Sequence, residues 1–352
     1  MAAETHHPAM FIPKSTREYR SQGDEYKNLK LQESPLTPPK ATEVLLKVHA
    51  VSLQYRDLMV SKGRYPHQKK NVVPCSDMAG EIIAVGQDVK DYKVGDRVCP
   101  NFALDHIHGD PTKETQATGL GGPIDGVLKE YINVPAHSLV RVPEHLSYEE
   151  ASTLPCAALT AYNALMGPVP LKGGDYVLVL GTGGVSIFGL QLAIASGATV
   201  IATSSSDEKL KIASKLGAKH IINYNKNPNW DDEILEITEG RGVDHVIEVG
   251  GPGTIGKCAK ATKYAGYINI IGFVAQGSEG IDIRSAIGKA LIYRGIQIGS
   301  VNQFEDMNRL IKAHQIHPVV DKVFSFEQAI DAYAYLESQK HVGKIVISVS
   351  KT

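Results

Sequence analysis

Apolar residues follow two rhythms along this chain. From about Thr16 to Leu154 they come in short runs between turn formers. Val44–Val51 (VLLKVHAV) and Ala79–Val85 (AGEIIAV) read as strands, with turns at Gly86, Gly95 and Asp96. Leu104–Gly122 reads as a polar, glycine-bearing loop, and Gly126–Val134 returns to strand character. This spacing predicts a small β-rich barrel. From about Cys156 strand-length and helix-length runs alternate. The predicted strands are Tyr176–Leu180, Thr199–Thr203, His220–Asn223, His245–Val249, Tyr267–Gly272 and Ile296–Gly299. Helical runs lie between them, such as Asp207–Leu216, closed by Gly217. Alternation of this kind predicts an α/β fold with a parallel, doubly wound sheet. Near the end, Phe326, Ile330, Tyr333 and Leu336 repeat at helical spacing. They predict a helix over Phe326–Ser338, opened by Ser325 and Gln328 as a capping box. A last strand, Lys344–Val349, is expected to rejoin the barrel.

Composition narrows the class. The length of 352 residues suggests two domains. A hydrophobic content of 43% and a net charge of −1 describe an ordinary globular chain. No basic excess points to nucleic acid, and no apolar stretch approaches the roughly 20 residues that span a bilayer. The start of the chain carries no signal or transit pattern, and residues before about Lys14 read as a loose tail. Cys75, Cys99, Cys156 and Cys258 are scattered, which argues against a disulfide framework or a structural zinc knot. A reducing, cytoplasmic setting is expected.

The richest local signal is GTGGVS at Gly181–Ser186. It follows the apolar run Tyr176–Leu180 and opens Val185–Ala195. Strand, glycine turn and helix start together suit a dinucleotide pyrophosphate. Glycines let the backbone approach the phosphates, and the helix N-terminus binds negative charge. Gly181, Gly183, Gly184 and Val185 are therefore expected to hold a cofactor. The next strand ends at Ser204, Ser205 and Ser206. NAD-binding chains carry an acid about 20 residues past the glycines, for the ribose 2′-hydroxyl. Ser204 and Ser205 stand there instead and can donate to a 2′-phosphate, with Lys209 one turn on. NADPH is thus expected over NADH. The serines also suit a helix cap, with Ser205 and Glu208 as a capping box.

Ordered markers then give the chain a family. They are AVSLQYRDL at Ala50–Leu58, GRYP at Gly63–Pro66, VPCSDMAGEIIAVG at Val73–Gly86 and GDRV at Gly95–Val98. DGVLKEY at Asp125–Tyr131, TLPCAALTAYNAL at Thr153–Leu165, GTGGVS and GKIV at Gly343–Val346 follow. From about Thr16 to Val349 the chain resembles the medium-chain dehydrogenase/reductase superfamily, and most its zinc-independent quinone-oxidoreductase and enoyl-reductase branch. The resemblance implies a GroES-like catalytic domain, residues 1–155 and 301–352, around a Rossmann domain, residues 156–300. The active site would be the cleft between them, and a homodimer would be usual.

The resemblance also places side chains. Zinc-dependent members put a cysteine, a histidine and a cysteine where this chain has Gln54, Ser76 and Cys156. Gln and Ser are poor zinc ligands, and a catalytic site needs about three protein ligands. No metal is expected. His106 and His108 read as surface or pocket-lining residues, and Cys156 as a small buried thiol. Tyr65 stands where several enoyl reductases place a proton-donating tyrosine; the alternative is a pocket wall. The Gln54 amide would bond a substrate carbonyl or the nicotinamide ribose, and Tyr55 would border the cofactor. Arg56 and Asp57 read as a local ion pair. Thr160 would lie against the nicotinamide, and Tyr224 would help bind the adenosine phosphate. Gly250 leaves bare backbone near the ligand, Phe273 and Val274 would approach the nicotinamide amide, and Lys344 would neutralise the pyrophosphate.

Losing zinc removes a Lewis acid for carbonyl reduction. Hydride addition to an activated C=C bond or a quinone needs less help. The expected function is NADPH-dependent, zinc-independent reduction of such a small molecule. The rivals are an alcohol or aldehyde dehydrogenase of the same superfamily and a non-catalytic NADPH-binding protein.

Overall fold

A computed structural model describes residues 12–275, 277–278 and 280–350. The loose tail expected before Lys14 lies almost wholly outside these residues. Seven strands precede the glycine turn's own strand: β1 (Ser15–Arg20), β2 (Lys30–Pro35), β3 (Glu43–Ser52), β4 (Asp77–Val85), β5 (Arg97–Pro100), β6 (Tyr131–Pro135) and β7 (Leu139–Arg141). Six follow as β8 (Tyr176–Leu180), β9 (Thr199–Ser204), β10 (His220–Asn223), β11 (Val243–Glu248), β12 (Thr262–Ile270) and β13 (Ile292–Gly295). The chain closes with β14 (Val320–Ser325) and β15 (Lys344–Ser348).

Strands β8–β13 form one parallel sheet in the order β10-β9-β8-β11-β12-β13. Order reverses beside β8, so a crevice opens at its carboxyl end, where such sheets bind ligands. Helices cover the central strands on both faces, and Leu178, Val246, Ile247 and Ile268 are fully buried. The second sheet runs β14-β15-β3-β4-β5-β7, with β6 on β3. Its last strand pairs antiparallel with β3, Val346 opposite Ser52, so the chain end does rejoin the first unit.

Several boundaries differ from the sequence reading. The strand expected at Ile296–Gly299 lies at Ile292–Gly295. Ile292, Ile296 and Ile298 all suit a strand, but the register with β12 ends at Gly295. Ile298 then turns left-handed at φ 49°. Of Gly126–Val134 only Tyr131–Pro135 is strand, because Gly126, Val127 and Leu128 donate to Val73, Cys75 and Pro74 instead. The helix over Phe326–Ser338 begins as a 3-10 turn and becomes α-helical at Ala329–Glu337; its Ser325–Gln328 capping box is present. The loop Leu104–Gly122 contains a short helix, Lys113–Gln116. Ser206, not Ser205, caps the helix Asp207–Lys215: its hydroxyl accepts from the Lys209 N–H and bonds Glu208. No helix among the described residues is long and apolar enough to cross a membrane.

Candidate active site

The glycine turn leaves β8 at Gly181, which has φ 72°. A Cβ on Gly181 or Gly183 would meet nothing within 4 Å, so the space above the turn is open. Gly183 opens the helix Gly184–Ala195 with no side-chain cap. Uncapped N–H groups beside open space are what a pyrophosphate requires. Ser186, at the third fingerprint position, turns inward and donates to the Leu180 carbonyl at 2.6 Å. Val185 follows in the first turn and is half-buried. On the far side, Glu248 at the end of β11 is buried and accepts from the Gly251 N–H at 2.7 Å. That bond shapes the Gly250–Gly251 turn, where Gly251 takes φ 78°. Burial raises the Glu248 carboxyl above its ordinary range, against the Thr254 hydroxyl bond. The residues present therefore fit a dinucleotide.

At the end of β9, Ser204 is buried and Ser205 exposed. Tyr224 donates its backbone N–H to the Ser204 carbonyl at 3.1 Å and leaves its side chain 40% exposed. The Lys209 ammonium is tethered, donating to the carbonyls of Gln339 at 2.8 Å and His341 at 3.2 Å. The Lys209 backbone N–H meets the Ser206 hydroxyl, while the amine itself is not free. Burial, then the Lys344 and Lys209 charges, push the His341 imidazole down to about 4.

The other wall comes from the first sheet. Gln54 ends β3's connection and opens the helix Tyr55–Ser61, donating its backbone N–H to Asp57 at 2.7 Å. Its side-chain amide donates to Asp77 at 2.5 Å. Ser76 donates to the other Asp77 oxygen at 2.5 Å, and the Cys156 N–H to the first at 3.0 Å. Burial raises the Asp77 carboxyl, with the Lys344 ammonium opposing. Burial, then the Asp77 charge, pushes the half-buried Cys156 thiol up as well. Lys344 is buried beside this group and donates to the Leu53 carbonyl. Its stem packs against Gly184 of the glycine turn, and its ammonium bonds the Leu53 carbonyl.

A catalytic zinc does not fit here. Gln54 and Ser76 are both committed to Asp77, which leaves the Cys156 thiol alone among the three positions. A lysine ammonium stands in the same buried group. Among the described residues no three His, Cys, Asp or Glu side chains gather as a metal set. His106 is buried with Nε2 on the Gly109 carbonyl, and His108 is exposed.

Two aromatics meet across the crevice. Tyr55 and Phe273 lie edge to face, 6.4 Å between centroids, and both are exposed. Val274 beside them is 45% exposed, while Thr160 on the helix Leu159–Met166 is buried. Tyr65 is half-buried, with the Arg56 guanidinium 4.4 Å from its ring centroid. The expected Arg56–Asp57 ion pair does not close into a contact: one Asp57 oxygen accepts from the Gln54 N–H, and Arg56 lies between the rings of Tyr65 and Phe102. Sequence reasoning missed Asp77 and Glu248. Both are fully buried acids at the ends of strands, Asp77 opening β4 and Glu248 closing β11.

Comparisons place this geometry. Residues 40–144 match the family described as alcohol dehydrogenase GroES-like domain, and residues 184–313 that described as zinc-binding dehydrogenase. A zinc-type alcohol dehydrogenase-like protein of Schizosaccharomyces pombe is 50% identical over 314 residues, covering 87% of this chain and 91% of that protein. An acryloyl-coenzyme A reductase of Sulfurisphaera tokodaii is 30% identical, over 90% and 96%. A solved structure of a putative alcohol dehydrogenase from Sinorhizobium meliloti superposes with TM-score 0.90 at 37% identity, over 96% of this chain and all of that one. A GroES-like unit joined to a doubly wound nucleotide-binding unit defines a class of oxidoreductase. The chain belongs to the medium-chain dehydrogenase/reductase superfamily, as an NAD(P)H-dependent oxidoreductase.

Proposed function

We propose that this chain is a zinc-independent, NADPH-dependent reductase of activated C=C bonds or quinones. One observation carries the reading: Gln54, Ser76 and Cys156, at the family's metal-ligand positions, all donate to Asp77. A site closed on its own carboxylate offers no Lewis acid, and conjugate reduction does not require one. A relative named for acryloyl-coenzyme A reduction supports the same chemistry.

When bound, a dihydronicotinamide supplies the hydride. Gly181, Gly183, Gly184 and Val185 would receive the pyrophosphate, with Gly250 bare on the opposite turn. Ser204, Ser205, Lys209 and Tyr224 would surround the adenosine 2′-phosphate. Tyr55, Thr160, Phe273 and Val274 would enclose the nicotinamide end and exclude water. Tyr65 would hold the proton delivered to the reduced substrate from its phenol oxygen. Gln54 and Lys344, both tied into the Asp77 group, would position this wall. This reading keeps the domain limits 1–155 with 301–352 against 156–300, and the separation of β3–β7, β14 and β15 from β8–β13 into different sheets supports it. The four unpaired thiols suit a cytoplasmic setting. The edge of β13, unpaired among the described residues, has exposed Ile283 and Ile287 nearby in sequence and supports a homodimer.

A second reading, alcohol or aldehyde dehydrogenation, is favoured by the name of the Schizosaccharomyces pombe relative. A panel of enones, quinones, aldehydes and alcohols, run with each cofactor after chelation, separates the two. Enone or quinone turnover with NADPH that survives chelation is expected. Turnover restricted to alcohols and restored by zinc supports the rival. Tight NADPH binding without any turnover supports a non-catalytic protein.

A further inference from the structure

Among the described residues, Arg56 makes no hydrogen bond and no ion pair. Its Nε, Nη1 and Nη2 are all buried and none makes a hydrogen bond. The guanidinium carbon lies 4.4 Å from the Tyr65 ring centroid and 4.6 Å from that of Phe102. A Cβ on Gly122 would come within 2.4 Å of one terminal nitrogen, so glycine there makes room for this cation. The adjacent Asp57 feels this charge but does not satisfy its donors: one carboxyl oxygen accepts from the Gln54 N–H and the other makes no hydrogen bond.

A guanidinium is always charged and offers five donors. Leaving them buried and unmet costs more than contact with two rings returns. Such a group is explained when a ligand brings the missing acceptor. The surroundings define that acceptor. Two aromatic rings and one cation fit a flat, conjugated molecule that ends in an oxygen. Asp57 and Asp77 lie in the same buried group, which favours a neutral carbonyl over an anion.

We propose that Arg56 binds the carbonyl oxygen of a planar, α,β-unsaturated carbonyl acceptor and stabilises the negative charge that gathers there. This rests on the reductase reading above and names its acceptor site. The β carbon takes a hydride, with its electron pair, from the reduced cofactor. The C=C pair shifts toward the carbonyl carbon, and the C=O π pair moves onto oxygen beside Arg56. The α carbon then takes a proton from Tyr65 or water, and the carbonyl re-forms. One dihydronicotinamide is oxidised, one proton is consumed and one C=C bond is reduced. Phe102 is buried and Tyr65 only half-buried, so Tyr65 is the ring that yields to the substrate.

The test compares Arg56→Met and Arg56→Lys with the parent, using cyclohexenone and a substituted benzoquinone as acceptors. Preorganised donors to a developing oxyanion contribute about 10²–10³-fold. The methionine variant should lose that much kcat/KM on the enone and far less on the quinone, whose anion is stabilised by its own ring. The lysine variant should recover part of the enone rate. NADPH affinity should be unchanged, and the methionine variant should melt no lower than the parent, because an unmet charge has been removed. Calorimetric binding of benzamide, which is not reduced, should weaken about tenfold or more in the methionine variant, the equivalent of about 1.4 kcal/mol. Equal loss on both acceptors with a lowered melting temperature would make Arg56 a clamp for Tyr65 and Phe102 and overturn the proposal. Unchanged enone turnover would overturn it too. If the parent reduces neither acceptor, the reductase reading fails by itself. Benzamide binding then decides Arg56: equal affinity for parent and methionine variant overturns the proposal, and the expected weakening supports it.

Discussion

At Asp77 one carboxylate accepts from the Gln54 amide, the Ser76 hydroxyl and the Cys156 N–H. The sequence carried those three donors only through the family markers, and Asp77 stood two residues before the strand read at Ala79–Val85, with no role of its own. Spatial closure over 23 and 79 residues of separation has no local signature. Tyr65 and Ser204 were legible as types, a phenol in GRYP and a hydroxyl where an acid is usual. Lys209 was legible as a charge but not as a tethered one, because Gln339 and His341 reach it from 130 and 132 residues away. Two outcomes belong at this scale. Tyr65→Phe keeps the ring and removes the proton. Enone turnover should fall by about 10²–10⁴ if Tyr65 is the donor, with kcat and kcat/KM falling together. Unchanged turnover assigns Tyr65 to the wall. Ser204→Asp places a carboxylate against the 2′-phosphate and should weaken NADPH binding by about tenfold or more, about 1.4 kcal/mol. Titration of both cofactors measures it; an unmodified protein that prefers NADH contradicts the reading.

The helix Tyr55–Ser61 shows how an element can be carried by one buried acid. Asp57, fully buried in its first turn, satisfies the Gln54 N–H. Burial raises its carboxyl from 3.8 to about 6, with Arg56 and Lys344 pulling down and Asp77 pushing up. The folded protein therefore holds this proton more tightly than the unfolded chain. The stabilising share is full below 3.8 and is lost as pH rises through about 6. Asp57→Asn keeps an acceptor for Gln54 and removes the titration. Its melting temperature should exceed the parent's at mildly alkaline pH and match it at acid pH. The stability difference behind that gap is at most about 3 kcal/mol. Equal melting temperatures across the range would show that the carboxylate is solvated. Elements were otherwise the most legible scale. Tyr176–Leu180 and His220–Asn223 lie where the apolar runs put them. The run around Ile292–Ile298 slipped because its alternation suits more than one register, and tertiary pairing with β12 decides.

The doubly wound order was legible for the whole molecule because buried strands alternate with helices in sequence. The pairing of β14 beside β15, and the approach of Gly343 to Gly183 that joins the two sheets, were not. The first is a parallel pairing across the helix Ala329–Glu337, and the second joins residues far apart in sequence. The exposed Ile283 and Ile287, 70% and 77% accessible, suit a surface that a second copy covers. Light scattering should find a dimer, and Ile287→Asp should yield a folded monomer; a monomeric parent contradicts this.

The reductase reading is tested most directly by where the hydride goes. Chelated enzyme, NADPH carrying deuterium at the transferable position and a simple enone are allowed to react, and the product is examined by NMR. Deuterium on the carbon β to an intact carbonyl is the expected result. Deuterium on a carbinol carbon, or no product until zinc is restored, would contradict it.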